Sequence, residues 1–372
     1  MVNSIMQPDD LIGTMLGNFR ILAKLGEGGM ARVYKARQEN LDREVAVKVL
    51  PPWFAADPNF VERFKQEARL VGGLSHPNIV TVHDASEQHG HLYIVMQLVD
   101  GGTLKHRLEH LLQKEGKALD IIEALPIFTQ LASALTYAHK QGIIHRDIKP
   151  VNVLLDRSGR AILSDFGIAK VMASTNLDLT RPGAGVGTPE YMSPEQCQGG
   201  AVDQRADIYA LGVMLFEALT GRTPFRGNNY AILAHNHLYE VPPRPSSINR
   251  AIPLAVERVI FTALMKHPQQ RYQSAEEMAE SLNRAVNAQP PKKNYFGLSP
   301  APLIGQNPTT TSDDRQGQLY ACRYCQHPNK ASMRFCTRCG KPLSQCPNCS
   351  NKNPVNNRFC TACGWVLNVY VQ

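Results

Sequence analysis

The stretch "IIHRDIKPVNVLL", residues 143–155, places five polar side chains between two apolar runs. His145, Arg146, Asp147, Lys149 and Asn152 supply an imidazole, a carboxylate base, two cations and an amide within eight residues. A simple strand, turn or helix has no structural use for so many polar groups between Ile and Leu. We therefore expect a loop that serves a site, anchored by strands formed from the apolar run on each side.

Composition limits the class of protein. A length of 372 residues predicts two or three domains, and 43% apolar with 19% charged residues is typical of a globular chain. The net charge of +8 belongs entirely to residues 290–372, because residues 1–289 are neutral. Nucleic-acid binding is therefore a question for the tail alone.

Apolar runs and cysteines bear on the compartment. The longest apolar run, "IYALGVMLF" at 208–216, has nine residues, whereas about 18 are needed to span a bilayer. The first residues lack the basic start of a signal peptide. We expect a soluble, cytoplasmic chain with no membrane partner. Eight of the nine cysteines lie in 322–363, which in a reducing compartment favours metal ligation over disulfides.

Two kinds of periodicity divide the main part of the chain. Residues 19–98 alternate short β-rich runs with turns, interrupted by one segment, "PNFVERFKQEARLVGGL", whose apolar residues recur at helical spacing. Residues 103–287 are helical in pattern, and Gly142 and Gly221 stand where helices should stop. The fold class is thus α+β, with a β-rich lobe and a helical lobe. Residues 288–318, rich in Pro, Asn, Thr and Ser, are predicted to be a flexible linker.

The run "LGEGGMARVYKA" from Leu25 is glycine-rich and lies between two β-like segments. Glycines there would let backbone N–H groups approach phosphate oxygens, although an ordinary glycine turn fits the run equally well. Lys48 lies in the middle of the apolar strand "EVAVKVL" and needs an anion if it faces inward. Glu67, on the following helix, is the natural partner, with two unrelated surface charges as the alternative.

These motifs occur together in one order, and in that order the chain resembles the Ser/Thr protein kinases common in bacteria. The resemblance covers about residues 17 to 287, with lobes at about 17–98 and 103–287. The motifs that carry it are the glycine loop, "VAVK" at 45–48, Glu67, "HRDIKPVN" at 145–152, "DFG" at 165–167, "SPE" at 193–195, Asp207 and Arg271. Two positions depart from the family pattern, Ala31 for the third loop glycine and Ser193 in the usual Ala-Pro-Glu, and neither indicates an inactive enzyme. The resemblance implies a two-lobed protein-kinase fold and an active enzyme using ATP and Mg²⁺.

The resemblance also implies residue roles. Asp147 is the base that accepts a proton from the acceptor hydroxyl, Lys149 neutralises the transferring phosphoryl group, and His145 is structural. Asn152 and Asp165 are the Mg²⁺ ligands, while Lys48, supported by Glu67, holds the α- and β-phosphates. Leu154 floors the adenine pocket and Met96, Gln97 and Leu98 form the hinge. The implied ATP site comprises Leu25, Gly26, Glu27, Gly28, Gly29, Met30, Ala31, Val33, Ala46, Lys48, Met96, Gln97, Leu98 and Leu154.

The acceptor class and the regulation follow from the same resemblance. Lys149 and Thr188 are typical of the enzymes that phosphorylate Ser or Thr. Arg146 is expected to pair with a phosphate on the activation segment, about residues 168–192. The candidate phosphosites are Thr180, which we favour, and then Thr175, Ser174 and Thr188. Glu195 is expected to pair with Arg271 as a structural brace.

The tail contains an internal repeat of 24 residues. "CRYCQHPNKASMRFCTRCG" at 322–340 matches "CPNCSNKNPVNNRFCTACG" at 346–364 in nine of nineteen positions. Each copy has the spacing C-x₂-C-x₁₀-C-x₂-C, which suits a tetrahedral, structural Zn²⁺ site. We predict a double zinc ribbon at 319–366 with two zinc ions. Their ligands are Cys322, Cys325, Cys336 and Cys339 at one site and Cys346, Cys349, Cys360 and Cys363 at the other.

Several alternatives stay open at this point. The zinc ligands could interleave between the repeats, or the cysteines could hold an iron–sulfur cluster. The first domain could be a catalytically silent nucleotide-binding scaffold, or a kinase of small molecules. The tail is expected to bind a protein partner for docking or regulation, and the alternative is recruitment to nucleic acid. Cys197, outside the tail, is expected to be a packed small residue.

Overall fold

The computed structural model describes residues 11–28, 31–166 and 189–287 of the chain, and in the tail 319–321, 327–330, 333, 335–338, 340 and 343. It divides into two compact units, Met1–Ala288 and Gln289–Gln372. The first contains the β-rich and helical lobes expected from the sequence.

The first lobe is built on one antiparallel sheet of six strands in the order β1-β2-β3-β4-β6-β5. Apolar side chains pack on both of its faces, which explains why the β-like runs carry so many Val, Ile and Tyr residues. The strands are β1 Met15–Leu16, β2 Phe19–Gly28, β3 Ala31–Gln38, β4 Arg43–Val49, β5 Val82–Gln88 and β6 His91–Gln97.

One helix, α1 (Pro58–Gly72), crosses this sheet, as the apolar spacing predicted. It begins where the Asp57 side chain accepts a hydrogen bond from the backbone N–H of Asn59. Phe60 and Phe64 are buried against the sheet, so the predicted apolar face is the one that packs. The helix thereby carries Glu67 toward the space between the lobes.

The second lobe is a helical bundle around α5, whose residues are almost all buried, as its nearly continuous apolar sequence requires. A Cβ added at Gly212 of α5 would lie 2.6 Å from the Cβ of Ala263, so the glycine allows α5 and α8 to touch. The helices are α2 Leu104–His110, α3 Ile121–Lys140, α4 Pro194–Cys197, α5 Arg205–Thr220, α6 Tyr230–Tyr239, α7 Pro245–Ile248, α8 Leu254–Ala263 and α9 Ala275–Asn287.

The predicted helix stops are confirmed. Gly142, shortly after α3, and Gly221, at the end of α5, have φ of +73° and +76°, a conformation that glycine adopts without strain. Among the described residues, α3 alone is long and apolar enough to cross a membrane. Its apolar side chains pack into the core of the lobe, so this resemblance to a membrane span is weak evidence.

A two-stranded sheet anchors the loop after "HRD". Strands β7 (Val153–Leu155) and β8 (Ala161–Leu163) pair antiparallel. The prediction of a strand on each side of the loop is therefore half wrong, because the run at 143–144 is not in a strand. That run instead follows the turn at Gly142, where the N–H of Ile143 donates to the carbonyl of Ala138 at the end of α3.

The described part of the second unit contains one antiparallel pair, β9 (Leu319–Ala321) with β10 (Pro328–Lys330). The pair places the first residues of the predicted ribbon beside those that precede its second cysteine pair.

Candidate active site

The loop at 145–152 gathers its polar groups around Asp147. Lys149 Nζ lies 2.9 Å from Asp147 Oδ2, and the side-chain amide of Asn152 donates to the same oxygen at 3.0 Å. That amide also donates to the backbone carbonyl of Asp147 at 2.8 Å, because a short turn at Pro150–Asn152 folds Asn152 back over the loop. The carboxylate is thus held in one orientation by a cation and an amide.

Lys48 faces inward, as expected, and pairs with Asp165. Its ammonium lies 2.6 Å from Asp165 Oδ1, and both side chains are largely buried. The expected Lys48–Glu67 pair stays a prediction, and Glu67 lines the cavity that reaches Asp165. Burial raises the pKa of Asp165, but the charge and hydrogen bond of Lys48 outweigh this and hold the pKa below its ordinary value.

Hydrogen bonds join these two groups of residues. The N–H of Ser164, next to Asp165, donates to the carbonyl of Asn152 at 2.9 Å, and Nε2 of the buried His145 lies 2.8 Å from the Ser164 carbonyl. Lys149 is near enough to help lower the pKa of Asp165. Residues that are separated in the sequence thus lie together in one site. The contacts of His145 agree with its expected structural role.

Asp207 holds the loop in its conformation, a role that we did not predict from the sequence. Its carboxylate accepts hydrogen bonds from the backbone N–H groups of His145 at 2.9 Å and Arg146 at 2.8 Å. Arg146 has a φ of +67° and Asp165 one of +66°, both rare for residues with a side chain. The buried acid at the start of the apolar helix α5 was the signal that could have revealed this role.

The predicted adenine-side residues come together between the lobes. Ala46 and Met96 are buried in one apolar cluster, with Val33, Leu98 and Leu154 packed against it. After the hinge, Gly101 donates to the carbonyl of Leu155, and the N–H of Leu155 donates to the carbonyl of Gly102. The hinge is thereby tied to β7 and to the loop that β7 anchors.

The glycine loop forms the hairpin between β2 and β3. Gly26 lies opposite Val33, Glu27 opposite Arg32 and Gly28 opposite Ala31. Arg32 and Lys24 hydrogen-bond to the Glu27 carboxylate and lower its pKa. Leu25 is exposed on the same strand, while Gly29 and Met30 lie outside the described residues.

A small cavity lies between α1 and the Asp165 segment. It is mostly apolar, but two carboxylates, Glu67 and Asp165, face it. Its lining residues are Phe64, Glu67, Ala68, Val71, Val80, Val82, Ile94, Met96, Leu163, Ser164, Asp165 and Phe166. Glu67 and the Lys48–Asp165 pair are thus brought to one cavity.

The predicted brace between Glu195 and Arg271 is present. Two nitrogens of the guanidinium bind the two carboxylate oxygens at 2.7 and 2.8 Å, and the Arg271 side chain is fully buried. The brace fixes α4, whose residue Gln196 donates to the carbonyl of Arg146 at 2.8 Å. Cys197 is only partly buried, and burial raises the pKa of its thiol to about 11, as expected of a packed residue.

The four candidate phosphosites, Ser174, Thr175, Thr180 and Thr188, lie outside the described residues. Within the described part of the chain, Nε of Arg146 is buried and has no hydrogen-bond partner. A buried donor of this kind calls for an acceptor.

In the tail, Cys336 is the zinc-ligand candidate that the structure describes, and the other seven lie outside the described residues. No cluster of metal-binding side chains occurs among the residues that are described. The sulfur of Cys336 accepts the backbone N–H of Arg338 at 3.4 Å, and the Asn329 amide lies 3.6 Å away. Donors aimed at a buried sulfur suit a metal-bound thiolate, so these residues fit a zinc site.

The residues of the first unit also fit the expected nucleotide and metal. Lys48 is a buried cation that can meet phosphate oxygens, and Asp165 is a carboxylate held in its charged form. Because the Asn152 amide nitrogen is used by Asp147, its carbonyl oxygen is the atom that can face a cation. Carboxylate and carbonyl oxygens are the ligands that Mg²⁺ prefers.

Two lobes joined by a hinge, with a lysine–aspartate pair beside a polar loop, are the architecture of the protein-kinase fold. Comparison with known families agrees, since the model of the protein kinase domain matches residues 19–282. The chain belongs to the protein kinase family. A second model, the double zinc ribbon, matches residues 322–364, which agrees with the ribbon expected from the cysteine repeat.

Similar proteins carry consistent names. The chain is 42% identical over 279 residues to serine/threonine-protein kinase PrkC of Bacillus subtilis, covering 75% of this chain and 42% of that protein. It is 41% identical over 272 residues to serine/threonine-protein kinase PknB of Mycobacterium tuberculosis, covering 72% and 43%. The match thus spans less than half the length of these relatives. The crystal structure of the Mycobacterium tuberculosis PknI kinase domain superposes with a TM-score of 0.60 at 31% identity, covering 73% of this chain and 98% of that one.

Proposed function

We propose that this chain transfers the γ-phosphoryl group of ATP, in the presence of Mg²⁺, to Ser or Thr hydroxyls of proteins. The observation that carries the proposal is the approach of two groups: Asp147, held by Lys149 and Asn152, and the Lys48–Asp165 pair. Phosphoryl transfer requires the protein mainly to position the reacting groups and to neutralise their charge, and this arrangement can do both.

Each residue then has a defined task. The Asp147 carboxylate takes the proton of the acceptor hydroxyl as the hydroxyl oxygen bonds to the γ-phosphorus and the bond from that phosphorus to ADP breaks. Lys149, 2.9 Å from that carboxylate, offsets charge on the transferring group. Bound Mg²⁺·ATP supplies the phosphoryl group and its counter-ion. Asn152 and Asp165 would hold the metal, and Lys48 would exchange Asp165 for the α- and β-phosphates.

That exchange gives Glu67 its proposed role. When Lys48 turns to the phosphates and Asp165 to the metal, a second carboxylate is needed to hold the ammonium in place. Glu67 faces the cavity that reaches Asp165, and this position supports that role. We therefore keep the predicted Lys48–Glu67 pair as a feature of the nucleotide-bound state.

We further propose that the chain phosphorylates its own activation segment, with Thr180 as the first site. The buried, unpartnered Nε of Arg146 supports this, because a phosphate brings strong acceptors and about −1.5 to −2 charge. Gln196 of α4 donates to the Arg146 carbonyl. A phosphothreonine bound by the Arg146 side chain would therefore also help to fix the position of α4 and its Glu195–Arg271 brace.

The tail is proposed to bind two structural zinc ions and to dock a protein partner in the cytoplasm. Within its described residues, Phe335 and Met333 are exposed large apolar side chains, at 59% and 38% of their full area. Exposed apolar residues of this size in a small module are typical of interaction surfaces. The dipeptide Arg334-Phe335 of the first repeat recurs in the sequence of the second repeat as Arg358-Phe359.

The decisive experiment incubates the full chain with labelled ATP and Mg²⁺, with and without a general protein substrate. The unaltered chain should yield phosphoserine or phosphothreonine, and Asp147→Asn should lower the rate by about 10²–10⁴. Asp42→Asn is the matched control, because that carboxylate is exposed in the turn between β3 and β4 and pairs with Arg37. Equal rates for Asp147→Asn and the unaltered chain would refute the proposal.

A further inference from the structure

Asn329 of the tail is a buried amide whose whole hydrogen-bonding capacity is used. Its nitrogen donates to the carbonyl of His327 at 2.7 Å and to the sulfur of Cys336 at 3.6 Å. Its oxygen accepts the backbone N–H of Thr337 at 2.9 Å and the Thr337 hydroxyl at 3.2 Å. With only 2% of its area exposed, Asn329 therefore braces β10 against the turn that carries Cys336.

The turn itself is shaped around the same sulfur. The backbone N–H of Arg338 points at Cys336 Sγ, and the N–H of Gly340 donates to the Cys336 carbonyl at 2.9 Å. Gly340 has a φ of +68°, which suits glycine. Cys336 thus has one N–H donor from its own turn and one from Asn329 across the hairpin.

The internal repeat preserves this arrangement in sequence. Of the nine positions shared by the two copies, four are the cysteines, and the remaining five are Asn329/Asn353, Arg334/Arg358, Phe335/Phe359, Thr337/Thr361 and Gly340/Gly364. The contacts of the first copy explain three of these five: the asparagine, the threonine that it holds, and the glycine of the turn. Neither the asparagine nor the threonine is a zinc ligand in the predicted site.

We propose that Asn329 is a positioning residue for the first zinc site. In the sequence, Asn353 stands at the corresponding position of the second repeat. The inference rests on the zinc binding proposed above. The Asn329 N–H is directed at the sulfur of Cys336, and its oxygen holds Thr337, so that the sulfur keeps its direction. Outer contacts of this kind contribute about 10–100-fold to metal affinity.

Replacing Asn329 by aspartate tests whether the residue positions Cys336 through hydrogen bonds or only fills space. Asn329→Asp keeps the size and the acceptor oxygen for Thr337, but it removes the N–H and places a negative charge beside the thiolate. If Asn329 only fills space, the aspartate variant should bind zinc as the unaltered chain does. If Asn329 supports the thiolate, the affinity of one site should fall.

The test measures Zn²⁺ binding to the full chain by competition with a chromophoric chelator, a readout independent of kinase activity. Asn329→Asp and Asn329→Ala should weaken one of the two sites about 10–100-fold and leave the other unchanged. Asn353→Asp should weaken the other site, and Asn357→Ala, an asparagine that the repeat does not preserve, should change neither.

A second variant guards against simple loss of the ribbon fold. Thr337→Val should weaken the same site by a smaller factor, and combining it with Asn329→Ala should add little, because the hydroxyl of Thr337 acts through Asn329. Losses that multiply in the double variant, or affinities within twofold of the unaltered chain for Asn329→Asp, would overturn the proposal. Absence of zinc from the unaltered chain would overturn it together with the zinc proposal, while the kinase proposal would stand.

Discussion

Replacing Arg271 by alanine tests the energetic weight of the brace in the helical lobe. The buried guanidinium makes five hydrogen bonds, two to Glu195 and three to the backbone carbonyls of Met265, Arg205 and Lys266. Removing it leaves a largely buried carboxylate without its counter-ion. Breaking a buried pair from one side costs about 3–5 kcal/mol, so we expect the free energy of unfolding to fall by that amount.

The measurement is urea unfolding of the full chain, followed by far-ultraviolet circular dichroism, which reports mainly on the helices of the first unit. Arg284→Ala is the matched control, since its ion pair with Glu280 is exposed on both sides and should contribute less than about 0.5 kcal/mol. The loss of stability for Arg271→Lys should lie between those of Arg271→Ala and Arg284→Ala, because an ammonium keeps the charge but cannot bind both carboxylate oxygens of Glu195 as the guanidinium does. A loss below about 1 kcal/mol for Arg271→Ala, or one equal to that of Arg284→Ala, would refute the reasoning.

Three further predictions follow from other contacts. Because the pKa of Asp165 in the folded chain lies below its ordinary value of 3.8, its ionised form stabilises the fold above that pH, and the contribution disappears as the pH falls through the folded-state pKa. Lys48→Met should therefore lower the free energy of unfolding at neutral pH and reduce its decline as the pH falls, and a pH profile parallel to that of the unaltered chain would contradict the pairing. A Cβ at Gly101 would lie 2.4 Å from the Leu155 carbonyl oxygen, so Gly101→Ala should destabilise the chain by about 1–3 kcal/mol in urea unfolding, and a loss near zero would show that the hinge is not tightly packed. Thr180→Ala should lower the rate of phosphorylation of an added substrate, and unchanged rates after prior incubation with ATP would count against this site.

Much of the fold could be predicted from local patterns. Short β-rich runs became the six-stranded sheet, apolar spacing became α1, and Gly142 and Gly221 stand at the predicted helix ends. These features depend on interactions between near neighbours, which the order of residues encodes directly. The Glu195–Arg271 pair was also predicted, but only because the chain resembles a family in which such a pair is expected.

The sequence by itself determined which polar residues the chain keeps and where: the loop around Asp147, the inward lysine at 48 and the two cysteine repeats. Only the tertiary structure decided which of them meet. Lys48 lies nineteen positions from Glu67 but 117 from Asp165, and it pairs with the latter. Sequence spacing favours partners that are near in the chain, whereas the packing of the two lobes brings together residues that are far apart in the chain. The same reason hid the roles of Asp207 and Asn329, whose contacts form only when separate segments fold together.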